Sequence, residues 1–433
     1  MKKIAVLTDF LDFPMQYGVV PAVLNQLRVL KRLGYDPHLL VVEGTNNEPS
    51  MSLVPEGITV KPVVPFIHLY DYQLGTQVQE HNVTPIGEHH EPRNKTHLKK
   101  QIKYCEEMLE PILKEYDIVI EHDILFQTWK IPYNHAIRNI AERTPQIQWI
   151  HWCHSAPSIP PDEIKYPHTL RFTPMPNSIW VTMNEAQRAG FARQYQVPIS
   201  QVKAVPHPID IPKHYRFHEL SKRMWDEYEL WRDELIVVCV TRFDHAKQKG
   251  AYKVAEFVSE LRKFASTRLI YVNSWSNTKG AEHHIKQLRN IIPDAIFTSE
   301  QGKEYQNGVP HEVVVDMLHI SNIHIMASSA ETYSFTLMEA ALGKNLIAMN
   351  GLLKPITYLM PDSCAMYVPW YVDCGGEKIT PEYNPSEQRF MYDRAKELYE
   401  EYIRNKALKA HRHVIRNYSS EAVMLHYRAL LGE

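Results

Sequence analysis

The stretch Ser328–Asn350 reads SSAETYSFTLMEAALGKNLIAMN. The apolar run NIHIMASS (322–329) leads into it and ends in small residues. YSFTLMEAAL has apolar residues at helical spacing, and NLIAMN closes the stretch as a second apolar run. Strand, turn, helix, strand is the repeating unit of a parallel sheet covered by helices. Two glutamates mark the unit. Glu331 lies in the turn before the helix, and Glu339 lies inside the helix, with seven residues between them. A carboxylate within FTLMEAAL is costly unless something binds it. The helix start, at Ser334, Phe335 and Thr336, offers backbone N–H groups and the positive end of the helix dipole, which stabilise an anion such as phosphate. Carboxylates on either side are good acceptors for hydroxyls.

The same alternation runs through the rest of the chain. Upstream lie ELIVVCVTRF (234–243) and RLIYVNSW (268–275), each followed by a helical pattern, GAYKVAEFVSELRKF and AEHHIKQLRNII. An earlier set begins at the N-terminus with KIAVLTDF (3–10). It continues through the helix VVPAVLNQLRVLKRLG, closed by Gly34, and the strand PHLLVVEG. DIVIEHD (117–123), IQWIHWCH (147–154) and SIWVTMN (178–184) complete it. The proline-rich PHPIDIPKHYRF (206–217) separates the two sets and reads as a linker. The pattern predicts two α/β domains with parallel sheets, whose ligands bind in loops leaving the carboxyl ends of the strands.

Composition agrees. A chain of 433 residues exceeds one ordinary core. Apolar residues are 44% and charged residues 23%, the balance of a folded soluble protein. The net charge of −2 argues against a generally basic nucleic-acid-binding surface. The 23 histidines show no zinc-site spacing with the five cysteines, which are odd in number and scattered. They read as thiols in a reducing compartment, and the expected location is cytoplasmic. The N-terminal apolar run is cut by Asp9 and Asp12, so it reads as a strand rather than a signal peptide. No apolar run reaches membrane-spanning length.

The loop VTRFDHAKQKG carries Arg242, Lys247 and Lys249 within eight residues and ends on Gly250, where a helix opens. Cations after a strand's carboxyl end are placed to meet an anion, such as a diphosphate gaining charge as it leaves. A solvated charged loop is the plainer explanation of the loop taken alone.

With this loop and the Glu-x7-Glu spacing together, the chain resembles retaining glycosyltransferases of the GT-B fold, those of glycosyltransferase family 4. ETYSFTLMEAALGKNLI resembles the family's EGFGLVLLEAMACGLPV, with Thr332 where the family has glycine. RFDHAKQKG resembles its phosphate loop: the spacing from Arg242 selects Lys247, and the Lys-Gly pair selects Lys249. QYQVPISQVKAVPHPID resembles its domain-joining stretch. NYSSEAVMLHYRALL resembles its C-terminal helix, which crosses back to the first domain. The loop with Gly18 resembles its acceptor-side loop. The resemblance implies an acceptor-side domain at 1–212, a nucleotide-sugar-binding domain at 213–415 and a returning helix at 416–433. It also implies two Rossmann-like domains facing across a cleft.

The implied activity is transfer of a sugar from a nucleoside diphosphate sugar to a hydroxyl acceptor, with retention at the anomeric carbon. Arg242 with Lys247 or Lys249 would neutralise the diphosphate, aided by amides near Phe335 and Thr336. Glu331 would hold the sugar hydroxyls and Glu339 the ribose. The family places a histidine beside the reacting carbon. His154, followed by Ser155, fits that form, while His151 lies three residues back and would point to the opposite face of a regular strand. No Asp-x-Asp motif occurs, so no metal and no other cofactor is expected. The basic segment HEPRNKTHLKKQIK (90–103), with Arg93, Lys95, Lys99 and Lys100, suggests an anionic acceptor: a sugar phosphate, an anionic lipid surface or a nucleic acid bearing hydroxymethylated bases. A solvated basic helix is the plainer account of it. Two other classes fit parts of the pattern, a nucleotide-sugar epimerase of the same fold and a binding module without turnover.

Overall fold

The computed structural model describes residues 2–10, 19–45, 51, 53–65, 95–127, 130–155, 157, 166–243, 246, 247, 249–276, 280–329, 331, 334–370, 372–374, 377–379 and 387–432. The chain divides into two compact units, Met1–Pro208 with Val423–Glu433, and Ile209–Ala422.

The first unit is a sheet of seven parallel strands. In chain order these are β1 (Ile4–Leu7), β2 (Pro37–Val42), β3 (Thr59–Val64), β4 (Ile118–His122), β5 (Gln148–Trp152), β6 (Ser178–Thr182) and β7 (Val202–Ala204). Their spatial order is β3-β2-β1-β4-β5-β6-β7. The strands are apolar on both faces because helices cover both. Along β5, Trp149 packs with Val119, Trp180 and Tyr195, whereas Ile150 and Trp152 pack with Val6, Ile120 and Tyr427 on the other face. Each such side chain, fully buried, contributes roughly 1.5–3 kcal/mol.

The helix Ser420–Leu431, from Val423 on, supplies the last piece of this unit. Its Tyr427 is fully buried, and Lys2 Nζ donates to the Leu431 carbonyl at 3.3 Å. The return of the C-terminal helix to the first domain is therefore a feature of the fold.

The second unit repeats the plan with six parallel strands. They are β8 (Leu235–Val240), β9 (Thr267–Val272), β10 (Ile296–Phe297), β11 (Ile323–Met326), β12 (Leu346–Asn350) and β13 (Met366–Val368), in the order β10-β9-β8-β11-β12-β13. Leu235, Val237 and Cys239 face one core, and Ile236 and Val238 the other. Both units are thus Rossmann-like. In each, the strand order reverses beside the first strand, between β1 and β4 and between β8 and β11. Open α/β sheets bind ligands outside the carboxyl ends at that reversal.

Cys105, Cys153 and Cys239 are buried and Cys364 is exposed, and none of the four forms a disulfide. Among the described residues no helix is long and apolar enough to cross a membrane.

Candidate functional site

The reversal in the second unit gathers most of the residues singled out in the sequence. β8 ends at Val240, and Arg242 follows within two residues. β11 ends at Met326, and the chain then reaches Glu331 and the helix Phe335–Leu342. One glycine explains how these two loops meet. Gly250 has φ +73°, and a Cβ there would sit 2.1 Å from the Ala327 carbonyl oxygen. Only glycine allows the loop after β8 to close on the end of β11 in this way. Its neighbour Lys249 lies against Glu331 as a result, Nζ to Oε1 at 2.5 Å, with both side chains largely buried. Lys247 is exposed. The loop therefore turns Lys249 toward Glu331 and Lys247 toward solvent.

Ser334 caps the helix, its Oγ accepting from the Leu337 amide at 3.4 Å, and lies 3.0 Å from Thr336 Oγ1. Phe335 is 70% exposed. Inside the helix, Leu337 and Ala340 are buried in the second unit's core. Glu339 lies beside them with its side chain 24% exposed. The cost of that carboxylate among apolar neighbours is offset by His311, whose Nε2 lies 2.7 Å from Oε1. His311 opens the helix His311–Ile320.

Arg242 stacks its guanidinium on the Trp275 ring, 4.8 Å from the centroid. Trp275 lies in the loop after β9. Beyond that loop, an open groove of about 660 Å³ runs between Ser276, Lys286, Arg289, Glu300 and Lys303. The carboxyl edge of β8, β9 and β11 thus carries Arg242, Lys249, Glu331 and a helix start. This set suits a doubly negative group held beside a group rich in hydroxyls.

The reversal in the first unit carries a second cluster, most of it not anticipated from sequence. Three imidazoles form one row. His122 Nδ1 lies 2.8 Å from His154 Nε2, and His154 Nδ1 lies 3.1 Å from His207 Nε2. Beyond His122, its Nε2 meets Gln26 Oε1 at 2.9 Å, and Gln26 Nε2 donates to the Tyr427 hydroxyl at 3.1 Å. With Gln26 so oriented, each histidine in turn donates from Nε2, and His122 and His154 accept at Nδ1, so these two are neutral. Burial, as the leading cause, pushes His154 down to about 3 and His207 to about 4, and holds His122 well below its ordinary value. Neighbouring histidines add to the effect at His154 and His122.

Beside the row, Asp123 Oδ1 accepts the His154 amide at 2.8 Å. Asp123 has φ +56°, uncommon for a residue with a side chain, and burial raises its carboxyl to about 6. Lys130 and Asp9 form a buried pair at 2.8 Å. The sequence held one signal for this cluster: DIVIEHD ends an apolar strand in three ionisable residues.

His151 is placed otherwise. It is fully buried between Trp149 and Trp180, with Nδ1 3.0 Å from Glu121 Oε1 and Nε2 2.8 Å from Ser178 Oγ. It lies on the sheet face opposite to His122 and Trp152, as the strand's period requires. Its partners satisfy both ring nitrogens, which makes it a polar tie in the core.

Gly18 and Arg93 lie outside the described residues, as do Thr332 and the side chain of Lys95. Lys99 and Lys100 are exposed on the helix Lys95–Leu113, away from the core that its Leu98, Ile102 and Cys105 enter.

No protein-family model matches the chain, and no curated protein matches it. Solved structures do. A glycosyltransferase from Rickettsia africae ESF-5 is 14% identical over 99% of this chain and 98% of that chain, with a TM-score of 0.33. Anabaena Alr3699/HepE in complex with UDP and glucose is 11% identical over 100% of both chains, with a TM-score of 0.36. An alpha-glucosyltransferase in complex with UDP-glucose and DNA containing an abasic site is 12% identical over 100% of both, with a TM-score of 0.33.

Proposed function

We propose that the chain is a glycosyltransferase that moves a sugar from a nucleoside diphosphate sugar to a hydroxyl acceptor, with retention at the anomeric carbon. The observation that carries this reading is the contact of Lys249 with Glu331 beside Arg242, at the strand-order reversal of the second sheet. A cationic loop and a hydroxyl-accepting carboxylate meet there, next to a helix N-terminus.

In this reading Arg242 and Lys249 neutralise the diphosphate as its bridging oxygen gains charge. Amides at Phe335 and Thr336 add donors fixed in advance. Glu331, oriented by Lys249, accepts from hydroxyls of the transferred sugar. Glu339 accepts from the ribose; His154, both of whose ring nitrogens are engaged by His122 and His207, is assigned no contact with the sugar. The leaving oxygen itself assists removal of the acceptor proton on the same face, so no enzyme nucleophile and no metal is assigned. The protein's contribution is position and charge.

The test is a melting-temperature screen against UDP, GDP, ADP and TDP, followed by transfer assays with the matching sugars. A product bound at 100 times its Kd raises stability by about 2.7 kcal/mol. A chain that melts unchanged with every diphosphate would remove this reading. Release of free nucleotide only when acceptor is present excludes the epimerase and the module without turnover.

Glu339→Ala is expected to weaken binding of the free nucleoside diphosphate, whereas Glu331→Gln chiefly lowers turnover. Calorimetric affinities for the diphosphate measure the first effect. Equal values in wild type and Glu339→Ala would remove the ribose role.

The acceptor is proposed to be anionic, on the strength of the exposed Lys99 and Lys100. Replacing Lys95, Lys99 and Lys100 by Gln should raise the apparent acceptor constant at low salt and leave donor binding unchanged, because surface charges are screened over about 10 Å at 0.1 M salt. Acceptor kinetics at two ionic strengths, with hydroxymethylated DNA, a sugar phosphate and a neutral sugar, distinguish the classes. Glycosylation of the neutral sugar alone, indifferent to salt, would make the segment a solvated surface.

A further inference from the structure

The loop after β9 holds a conformation that its residue types do not favour. Asn273 has φ +63° and Trp275 has φ +29°. Asparagine visits the left-handed region readily, but a bulky aromatic residue there is strained. Glycine at position 275 would relieve the backbone, so the ring is what the strain retains. That ring is tightly placed. Trp275 Nε1 donates to Asn273 Oδ1 at 3.0 Å. Gly308, at φ +121°, packs against both residues: a Cβ there would lie 2.5 Å from Asn273 Oδ1 and 2.8 Å from Trp275 Nε1. Ser276 N–H donates to the Gln306 carbonyl at 2.8 Å, tying the same two loops a second time. On this braced ring lies the Arg242 guanidinium, 4.8 Å from its centroid.

We propose that Trp275, fixed by Asn273 and Gly308, is a positioning residue that holds the Arg242 guanidinium in place for a nucleoside diphosphate. This inference rests on the donor-site reading above. The ring holds the guanidinium carbon from one side by a cation–π contact, and a guanidinium binds phosphate oxygens through its rim of N–H donors. An arginine on a loop otherwise loses rotamer freedom when it binds; a ring beneath it reduces that loss before the ligand arrives. The brace also links the two ends of the site. Gly308 lies three residues before His311, whose Nε2 meets Glu339 Oε1 at 2.7 Å.

The experiment is a double-mutant cycle on binding, with UDP, GDP, ADP and TDP as probes and calorimetry as readout. Trp275→Leu should weaken the diphosphate that wild type binds best by about tenfold, the size of one cation–π contact. Trp275→Phe, which keeps a ring face, should restore most of that loss. In an Arg242→Ala background Trp275→Leu should add less than about twofold, because its effect passes through Arg242. Melting curves identify any variant that fails to fold, and Gly308→Ala then tests the brace from the other side with the same expected loss. Full additivity of Trp275→Leu with Arg242→Ala, or an unchanged Kd in Trp275→Leu, overturns the proposal. If wild type binds none of the probes, the donor-site reading falls and takes this inference with it.

Discussion

Arg242→Ala is expected to lower transfer turnover by on the order of 10²-fold or more, as the loss of a donor aimed at developing charge does. The deficit should appear in kcat at saturating donor, because the charge on the bridging oxygen is largest in the transition state. Lys249→Ala should show a second large loss and Lys247→Ala a small one. Lys249 is the lysine that Gly250 turns inward against Glu331, while Lys247 faces solvent. Lys249→Ala also leaves the largely buried Glu331 carboxylate without its cation, so its melting temperature needs measuring alongside turnover. Normal turnover in all three variants would show that the loop is a solvated surface.

The two α/β halves were legible in the sequence because parallel strands buried on both faces read as short apolar runs. KIAVLTDF, PHLLVVEG and ELIVVCVTRF became β1, β2 and β8, and Gly34 ends the first helix region with φ +87°. β3 was not anticipated. TVKPVV carries Lys61 and Pro62, which break an apolar pattern, and proline is tolerated there because β3 is an edge strand. β10, two residues long, gives too short a signal to read. Arg242, Lys249, Glu331 and Glu339 were legible as candidates because they fall in two short local stretches, RFDHAKQKG and ETYSFTLME.

The histidine row was illegible for the opposite reason. His122, His154 and His207 are far apart in the chain, and strand order and register bring them together. Trp275 gave no signal, since tryptophan is not a turn residue and a positive φ leaves no trace in composition. Lys249 lies against Glu331 and Lys247 in solvent because Gly250 closely approaches a backbone carbonyl, a distance that no motif encodes.

Stability is expected to fall steeply as the pH drops from about 6.5 toward 4. His154 is held neutral down to about 3, and His207 and His324 down to about 4, against an ordinary 6.5. His122, His135 and His151 are also lowered, mainly by burial. Above 6.5 these rings are neutral whether the chain is folded or not, and the folded state has its full advantage. Below 6.5 the unfolded chain takes up protons that the folded chain refuses, so stability is lost until the folded values are reached. Asp123 acts in the reverse direction. Its carboxyl is raised from 3.8 to about 6, so the folded state binds that proton more readily and gains stability as the pH falls between those values. One proton gained against at least three refused leaves a net loss, with a slope of up to about 1.4 kcal/mol per pH unit for each net proton. Over one to two pH units this is comparable with the roughly 5–15 kcal/mol by which domains are stable. Thermal melts from pH 8 to pH 4.5 measure it. Asp123→Asn removes the opposing uptake and should steepen the decline. His324→Met removes a buried imidazole whose Nδ1 lies 3.1 Å from the Val238 carbonyl, and should flatten the decline in the second unit. A melting temperature constant from pH 7.5 to pH 5 would mean that the buried histidines accept protons in place, with water or rearranged partners beside them.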